Sequence, residues 1–128
     1  MIYVFPITIP ANTPATAKLK TILPLSRSRI IGVMVQFPAG HVGLTHLALN
    51  IGLHQMFPTN PEAAFSSSGE TIDWPEDFTL DKDPCQMEAY AWNDDTTYDH
   101  TITVRVVCEA LAERTSILDE IKQLFGGT

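Results

Sequence analysis

The stretch CQMEAYAWNDDTTYDHTITVRVVC, residues 85–108, decides the fold class because apolar residues occupy alternate positions on both sides of a polar centre. These positions are Cys85, Met87, Ala89 and Ala91 before the centre, and Ile102, Val104, Val106 and Cys108 after it. A period of two is typical of a β-strand with one buried face. The central NDDTTYD contains Asn, Asp and Thr, whose side chains hydrogen-bond the local backbone of a turn. The stretch therefore predicts an antiparallel hairpin.

The same alternation continues outward along the chain. It places Ile31, Val33, Val35 and Phe37 on one face of a strand, and Leu47, Leu49, Ile51 and Leu53 on one face of another. Segments at Ile2–Ile9, Ala17–Leu25 and Asp77–Leu80 raise the number to about seven or eight strands. With 128 residues and 45% hydrophobic residues, the chain can form one domain with a real core. We therefore predict an all-β fold, an antiparallel two-sheet sandwich of immunoglobulin-like or jelly-roll type.

Two segments depart from this rhythm. Met56–Glu76 contains three prolines and three consecutive serines, and it is too long for a hairpin turn. It predicts an insertion loop, 56–76, within a β-sandwich domain of residues 1–108. Residues 109–128 carry an apolar stripe at helical spacing: Leu111, Ile117, Leu118, Ile121, Leu124 and Phe125. They predict a C-terminal amphipathic helix, Glu109–Phe125, whose stripe either packs on the sandwich or meets a partner.

Composition narrows the class of partner. Eight Lys and Arg residues in a chain of net charge −7 cannot form a dense phosphate-binding stripe, which argues against a nucleic-acid binder. Cys85 and Cys108 show no CxxC spacing, so a zinc knuckle or redox motif is excluded and buried thiols are expected. The N-terminus lacks the basic region of a signal peptide, and no run approaches the ~20 apolar residues of a membrane span. We expect a soluble protein that is made in a cytoplasm and binds no membrane.

The aspartates and histidines are candidate metal ligands. A calcium loop needs oxygens at alternating positions and a glycine, which the 93–99 segment lacks, so the turn interpretation is favoured and a weak ion site at Asp94 and Asp95 stays open. A cupin-like centre needs a His-x-His pair, which His41, His46, His54 and His100 do not provide. We place His46 and His54 on one strand, too far apart to share an ion. No metal and no cofactor are predicted.

Catalytic patterns are weak. There is no GxSxG motif, and Ser66–Ser68 lacks the strand-to-helix context that activates a serine. The acids Glu70, Asp73, Glu76 and Asp77 lie in the predicted loop, where carboxylates are usually solvated. Trp74 and Trp92 either form a sugar-stacking platform or serve as buried or interfacial anchors, which is the commoner use of tryptophan. We therefore expect a protein without enzymatic activity.

Two strings, FPAGHVGLTHLALNIGLHQMFPTNPEAAFSSSGETIDWPEDFTL (37–80) and EAYAWNDDTTYDHTITVRV (88–106), carry a family resemblance. They resemble small β-sandwich proteins encoded among the head genes of tailed bacteriophages, over most of Ile2–Val107. The resemblance implies a jelly-roll-like capsid decoration or cement protein, a homotrimer on the capsid exterior that binds the major capsid protein and stabilises the head. The family pattern ends soon after the VRV strand, so the C-terminal segment departs from it.

Loop length and apolar spacing select the expected contact residues. They are Met56, Phe57, Phe65 and Trp74 in the predicted insertion, and Leu118, Ile121 and Phe125 on the predicted helix. A proline-stiffened loop loses little entropy on docking, and an apolar stripe offers area to bury. The alternative is a carbohydrate-binding or host-receptor-binding sandwich, in which Trp74 and Trp92 would stack on sugar rings.

Overall fold

The computed structural model describes residues 1–37, 43–51, 54–58, 64–66 and 69–111, and in these ranges the chain is almost entirely β. The strands are β1 (Ile2–Ile9), β2 (Leu19–Pro24), β3 (Ser28–Gln36), β4 (Thr45–Ile51), β5 (His54–Phe57), β6 (Phe65–Ser66), β7 (Thr71–Leu80), β8 (Gln86–Asn93) and β9 (His100–Ala110). A single 3-10 turn at Ala15–Ala17 precedes β2.

The strands form two antiparallel sheets. One has four strands in the order β1-β9-β3-β7, and the other has five, in the order β2-β8-β4-β5 with β6 also paired to β4. The pairs β1 with β9, β2 with β8, β3 with β7 and β4 with β5 are nested, as in one long hairpin. Pairing of β9 with β3 and of β8 with β4 folds this hairpin over. The predicted all-β class with two antiparallel sheets is confirmed.

One hydrophobic core contains residues of both sheets. Its fully buried members include Val33, Leu47, Leu49, Ala89, Ala91, Ile102, Val104 and Val106, all predicted to face inward. The prediction for β3 needs one correction. A β-bulge between Ile30 and Gly32 shifts the register against both neighbouring strands, and Ile30 rather than Ile31 is buried. A bulge changes which side chains face the core because it adds one residue to a period of two.

Prolines occupy three edge strands. Pro6 lies in β1, Pro24 in β2 and Pro75 in β7, and each of these strands pairs on one side only within its sheet order. Proline cannot donate to a β-ladder, so it is tolerated at edges and limits further pairing there. Pro75 also lies opposite the bulge at Gly32.

The predicted insertion loop 56–76 is partly wrong. Its first two residues belong to β5, Phe65 and Ser66 form β6, and β7 begins at Thr71 rather than at Asp77. The interpretation of His46 and His54 as residues of one strand is also wrong, because His46 lies in β4 and His54 begins β5, where it pairs with Ile51. Hydrophobic alternation continues across this connection, so the sequence does not reveal the change of strand.

The predicted start of the C-terminal helix is wrong. Glu109 and Ala110 belong to β9, where they pair with Arg29 and Ser28. The Arg29 guanidinium also forms an ion pair with the Glu109 carboxylate. Cross-strand pairing therefore decides the conformation at these two positions. The rest of the predicted helix, with Leu118, Ile121 and Phe125, lies outside the described residues apart from Leu111.

Candidate interaction surfaces

The hairpin between β8 and β9 is closed by Asn93, whose side chain is fully buried. Its Nδ2 donates to the backbone oxygens of Ile9, at 3.2 Å, and Tyr98, at 3.0 Å, while its Oδ1 accepts from the amide of Asp95 at 3.0 Å. Asn93 therefore joins the turn to the end of β1. Both the nitrogen and the oxygen of the Asn93 side-chain amide are thus hydrogen-bonded within the protein.

Asp95 organises the rest of this turn. Its Oδ1 accepts from the amides of Thr97, at 2.9 Å, and Tyr98, at 3.2 Å, and its Oδ2 lies 2.8 Å from Nε2 of His100. The pKa of the Asp95 carboxyl is lowered, first by the Thr97 amide and then by the His100 side chain. Both oxygens of the carboxylate have partners in the protein, which agrees with the turn interpretation and not with a calcium loop.

Trp92 lies on the outer face of the five-stranded sheet. His46, its cross-strand partner in β4, stacks on the indole at 4.7 Å between ring centroids, with 14° between the planes. Lys18 approaches from the side of β2, with Nζ 4.7 Å from the ring centroid. The imidazole of His46 is also hydrogen-bonded to Asp94, whose Oδ2 lies 3.1 Å from Nε2 of His46. The indole therefore already has a stacking partner and a cationic partner within the protein.

Trp74 lies elsewhere, on the inner face of the four-stranded sheet, opposite the fully buried Val33. Its ring centroid is 5.2 Å from that of Phe57 and 5.1 Å from that of Phe65, both in strands of the other sheet. Trp74 and Trp92 are thus on different sheets and different faces. The sugar-stacking platform suggested by the sequence does not form.

The predicted contact residues Met56, Phe57, Phe65 and Trp74 do come together. They line an apolar crevice of about 340 Å³ where β5 and β6 face β7, and Glu76 lies at its rim. Phe57 is only 4% exposed and belongs to the core, so Met56, Phe65 and Trp74 are the predicted contact residues that contribute to its surface, beside Pro58, Ile72 and Asp73. We refer to this site as the aromatic crevice.

A second apolar surface lies on the outer face of the four-stranded sheet, and the sequence-based prediction missed it. Six apolar residues form it. One row across all four strands consists of Ile2, Val107, Gly32 and Pro75, and in the next row Val4 and Met34 alternate with the charged Arg105 and Asp73. Ile2 is 62% exposed and Val4 is 53% exposed. We call these six residues the outer strip. The signal that could have revealed it is the composition of β1, IYVF, which is apolar on both faces.

The candidate polar residues are scattered or paired. His46 and His100 contact different aspartates, Asp77 forms an ion pair with Arg29, and the Ser66 hydroxyl donates to the backbone oxygen of Gly43 at 2.8 Å. Within the described ranges, no group of three or more His, Cys, Asp or Glu side chains could hold a metal ion. His41, Ser67 and Ser68 lie outside these ranges, as do the side-chain details of His54.

Another crevice, of about 390 Å³, lies beside the connection between β7 and β8. Asp81, Lys82 and Asp83 line it and are exposed. Glu88 also lines it, but its carboxylate accepts from the Tyr90 hydroxyl at 3.1 Å. These groups do not converge on one point in the way that a catalytic site requires.

Comparison with protein-family models gives no match, and comparison with curated proteins gives none either. In the part of the chain that the structure describes, no helix has the length and apolar character needed to cross a membrane. The functional conclusion therefore depends on the geometry and on the sequence strings themselves.

Proposed function

We propose that this protein is a non-enzymatic virion structural protein of a tailed bacteriophage. In this proposal it is a decoration or cement protein that forms homotrimers on the capsid exterior, binds the major capsid protein and stabilises the head. It is made in the host cytoplasm and needs no cofactor. The observation that carries the proposal is the strand order of the two sheets.

The strand order supports a jelly-roll sandwich. When the two-residue β6 is set aside, eight strands remain, and each sheet alternates strands from the first four and the last four in chain order. A long antiparallel hairpin folded over on itself produces this order, which is that of the double-sheet jelly roll found in viral capsid proteins and lectins. This agrees with the head-protein resemblance of residues 37–80 and 88–106, which was noted from sequence strings alone.

Two surfaces support a role in protein contacts. The aromatic crevice offers Met56, Phe65 and Trp74, which belong to residue types enriched in interfaces. The outer strip exposes Ile2 and Val4. Two of the acids that suggested chemistry are instead paired within the fold, Asp95 with His100 and Asp77 with Arg29. This distribution of exposed apolar and internally paired polar side chains is typical of a protein that binds other proteins through its surface.

The lectin alternative shares the jelly-roll order but gains no support from the tryptophans. Lys18 and His46 flank Trp92, and Trp74 packs against Phe57 and Phe65. A two-tryptophan sugar platform needs both indoles on one surface, whereas Trp74 and Trp92 lie on different sheets. The capsid-binding proposal is therefore favoured over glycan binding.

Light scattering of the purified protein, alone and with empty heads of the phage that encodes it, tests the proposal. We expect a particle of about three times the 14.2 kDa chain mass, and its incorporation into the heads. The variant Phe65→Ala should reduce head binding, whereas Thr79→Ala, at an exposed position of β7, should not. A monomeric protein that does not bind the heads would refute the proposal. Binding to a glycan array, with a change in tryptophan fluorescence, would also refute it.

A further inference from the structure

The outer strip consists of one apolar row and a second row in which Arg105 lies between Val4 and Met34 and Asp73 lies at the edge strand. On one side, Arg29 forms ion pairs with Asp77 and Glu109, and these charges end the strip. On the other side, the next row outward contains the polar Thr103, Gln36 and Thr71, with Pro6 on the edge strand β1. Exposed apolar side chains in a patch with polar borders mark a surface that another element covers.

Gly32 makes a hollow in the middle of the strip. The hollow has a volume of about 310 Å³, and Met34, Pro75, Val107 and the charged Asp73 line it with Gly32. A Cβ atom placed on Gly32 would meet its nearest neighbours, Trp74 O and Val107 Cβ, at 3.7 and 3.8 Å, which is ordinary van der Waals contact. The hollow can therefore receive an apolar side chain from outside without a change in the sheet.

We propose that the chain's own C-terminal segment, residues 112–128, covers the outer strip. The described chain ends beside it, because β9 contributes Val107 and stops at Ala110, three residues further on. The N-terminus lies at the same place, since the Met1 amine donates to the Cys108 oxygen at 2.8 Å. The segment thus starts next to Ile2, and its tether gives it a millimolar effective concentration there.

The dimensions of the segment fit the strip. Four neighbouring strands span roughly 14 Å, and a helix from Ile117 to Phe125 would be about 12 Å long. Its apolar residues are Ile117, Leu118, Ile121, Leu124 and Phe125, which fall on one side at 100° per residue. The six Cα–Cα steps from Leu111 to Ile117 can extend up to about 20 Å, enough for the chain to reverse direction and reach any part of the strip.

A second copy of the protein fits less well. The two rows of the strip cover roughly 14 by 7 Å, whereas a stable interface buries about 800 Å² on each partner. A surface of this size suits one short element held nearby, and not an independent molecule. The proposal does not depend on capsid binding.

Disulfide formation tests it in the full chain with Cys85→Ser and Cys108→Ala. Val4→Cys is combined with Ile121→Cys on the predicted apolar side, and, as the matched control, with Gln123→Cys on the opposite side. Docking should make the Val4–Ile121 pair oxidise within one chain about tenfold faster than the control pair, because docking concentrates only the apolar side at the strip. Equal rates in the two pairs, or a disulfide between chains in dilute solution, would overturn the proposal.

A second experiment tests the docking of residues 112–128 without engineered cysteines. Gly32→Leu fills the hollow from the outside, and Thr103→Leu adds the same side chain to the neighbouring polar row. Hydrogen exchange of residues 112–128 should become faster in Gly32→Leu, and stay at the wild-type rate in Thr103→Leu. Exchange at the same rate in all three proteins, each with an unchanged melting temperature, would also overturn the proposal.

Discussion

The Nε2 atom of His100 lies 2.8 Å from Oδ2 of Asp95, and the two side chains are only 11% and 14% exposed at the turn that joins the central strands β8 and β9. The pKa of Asp95 is below its ordinary value of 3.8, so the charged carboxylate is favoured in the folded protein. Its contribution to stability is fully present above the unfolded-state pKa and is lost as the pH falls through the folded-state pKa. The turn therefore weakens in acid.

We expect Asp95→Asn to reduce this acid sensitivity. The variant should be less stable than the wild type at neutral pH, and the difference should shrink as the pH falls below the ordinary value of 3.8 and through the lowered pKa of the folded-state carboxyl. Urea unfolding at a series of pH values measures both. Asp81→Asn, at an exposed position, serves as the control and should follow the wild-type profile. Parallel profiles for wild type and Asp95→Asn would contradict the role of this carboxylate.

Asn93→Ala should lower the free energy of unfolding by about 2–4 kcal/mol, because it leaves the Ile9 and Tyr98 oxygens and the Asp95 amide without their partner in a buried place. Denaturant unfolding provides the value. Thr96→Ala, exposed in the same turn, should change it by less than about 0.5 kcal/mol. A loss of the same size in both variants would show that the turn tolerates no substitution and that the Asn93 amide has no special role.

The two tryptophans should differ in their contribution to stability. Trp74→Ala removes the ring between Phe57 and Phe65 and should cost about 3 kcal/mol, since it opens the contact between the sheets. Trp92→Ala removes an outer-face ring and should cost about 1 kcal/mol, comparable to one cation–π or stacking contact. Chemical unfolding followed by circular dichroism measures both without relying on tryptophan emission. A larger loss of stability in Trp92→Ala than in Trp74→Ala would contradict the role of Trp74 in the contact between the sheets.

Two glycines should respond to alanine with opposite signs. Gly32→Ala should stabilise the protein by about 0.5 kcal/mol, because the new methyl group fits and the unfolded chain loses freedom. Gly43 has a φ of +72°, so Gly43→Ala should destabilise by about 1 kcal/mol. Melting temperatures of the two variants, measured side by side with the wild type, decide the matter. A destabilised Gly32→Ala would mean that the hollow is part of a tightly packed region.

Alternation predicted the strands that bury one face and pair in the middle of a sheet. In β8 and β9 every second residue from Met87 and from Ile102 is buried, because each strand has a core on one side only. The same reasoning missed β7 before Asp77. This strand lies at an edge and contains Pro75, and a proline is more often a sign of a loop than of a strand.

The pairing partners were beyond the reach of the sequence. Leu47 and Phe65 are paired across a connection, and Ile2 and Val107 across nearly the whole chain, yet no local pattern specifies either pair. The aromatic crevice could be predicted in part, because its aromatic residues lie close together in sequence. The outer strip could not, since its row of four residues is formed by four strands that only the sheet order brings together.

The position of β9 also limits when the protein can fold during its synthesis. β9 is the last described strand, and it lies between β1 and β3 in the four-stranded sheet. Until residue 110 has left the ribosome, β1 has no neighbour in that sheet and the core lacks Ile102, Val104 and Val106. Until then the apolar strands of the nascent chain stay exposed. The prolines in its edge strands limit strand pairing with other nascent chains during that interval.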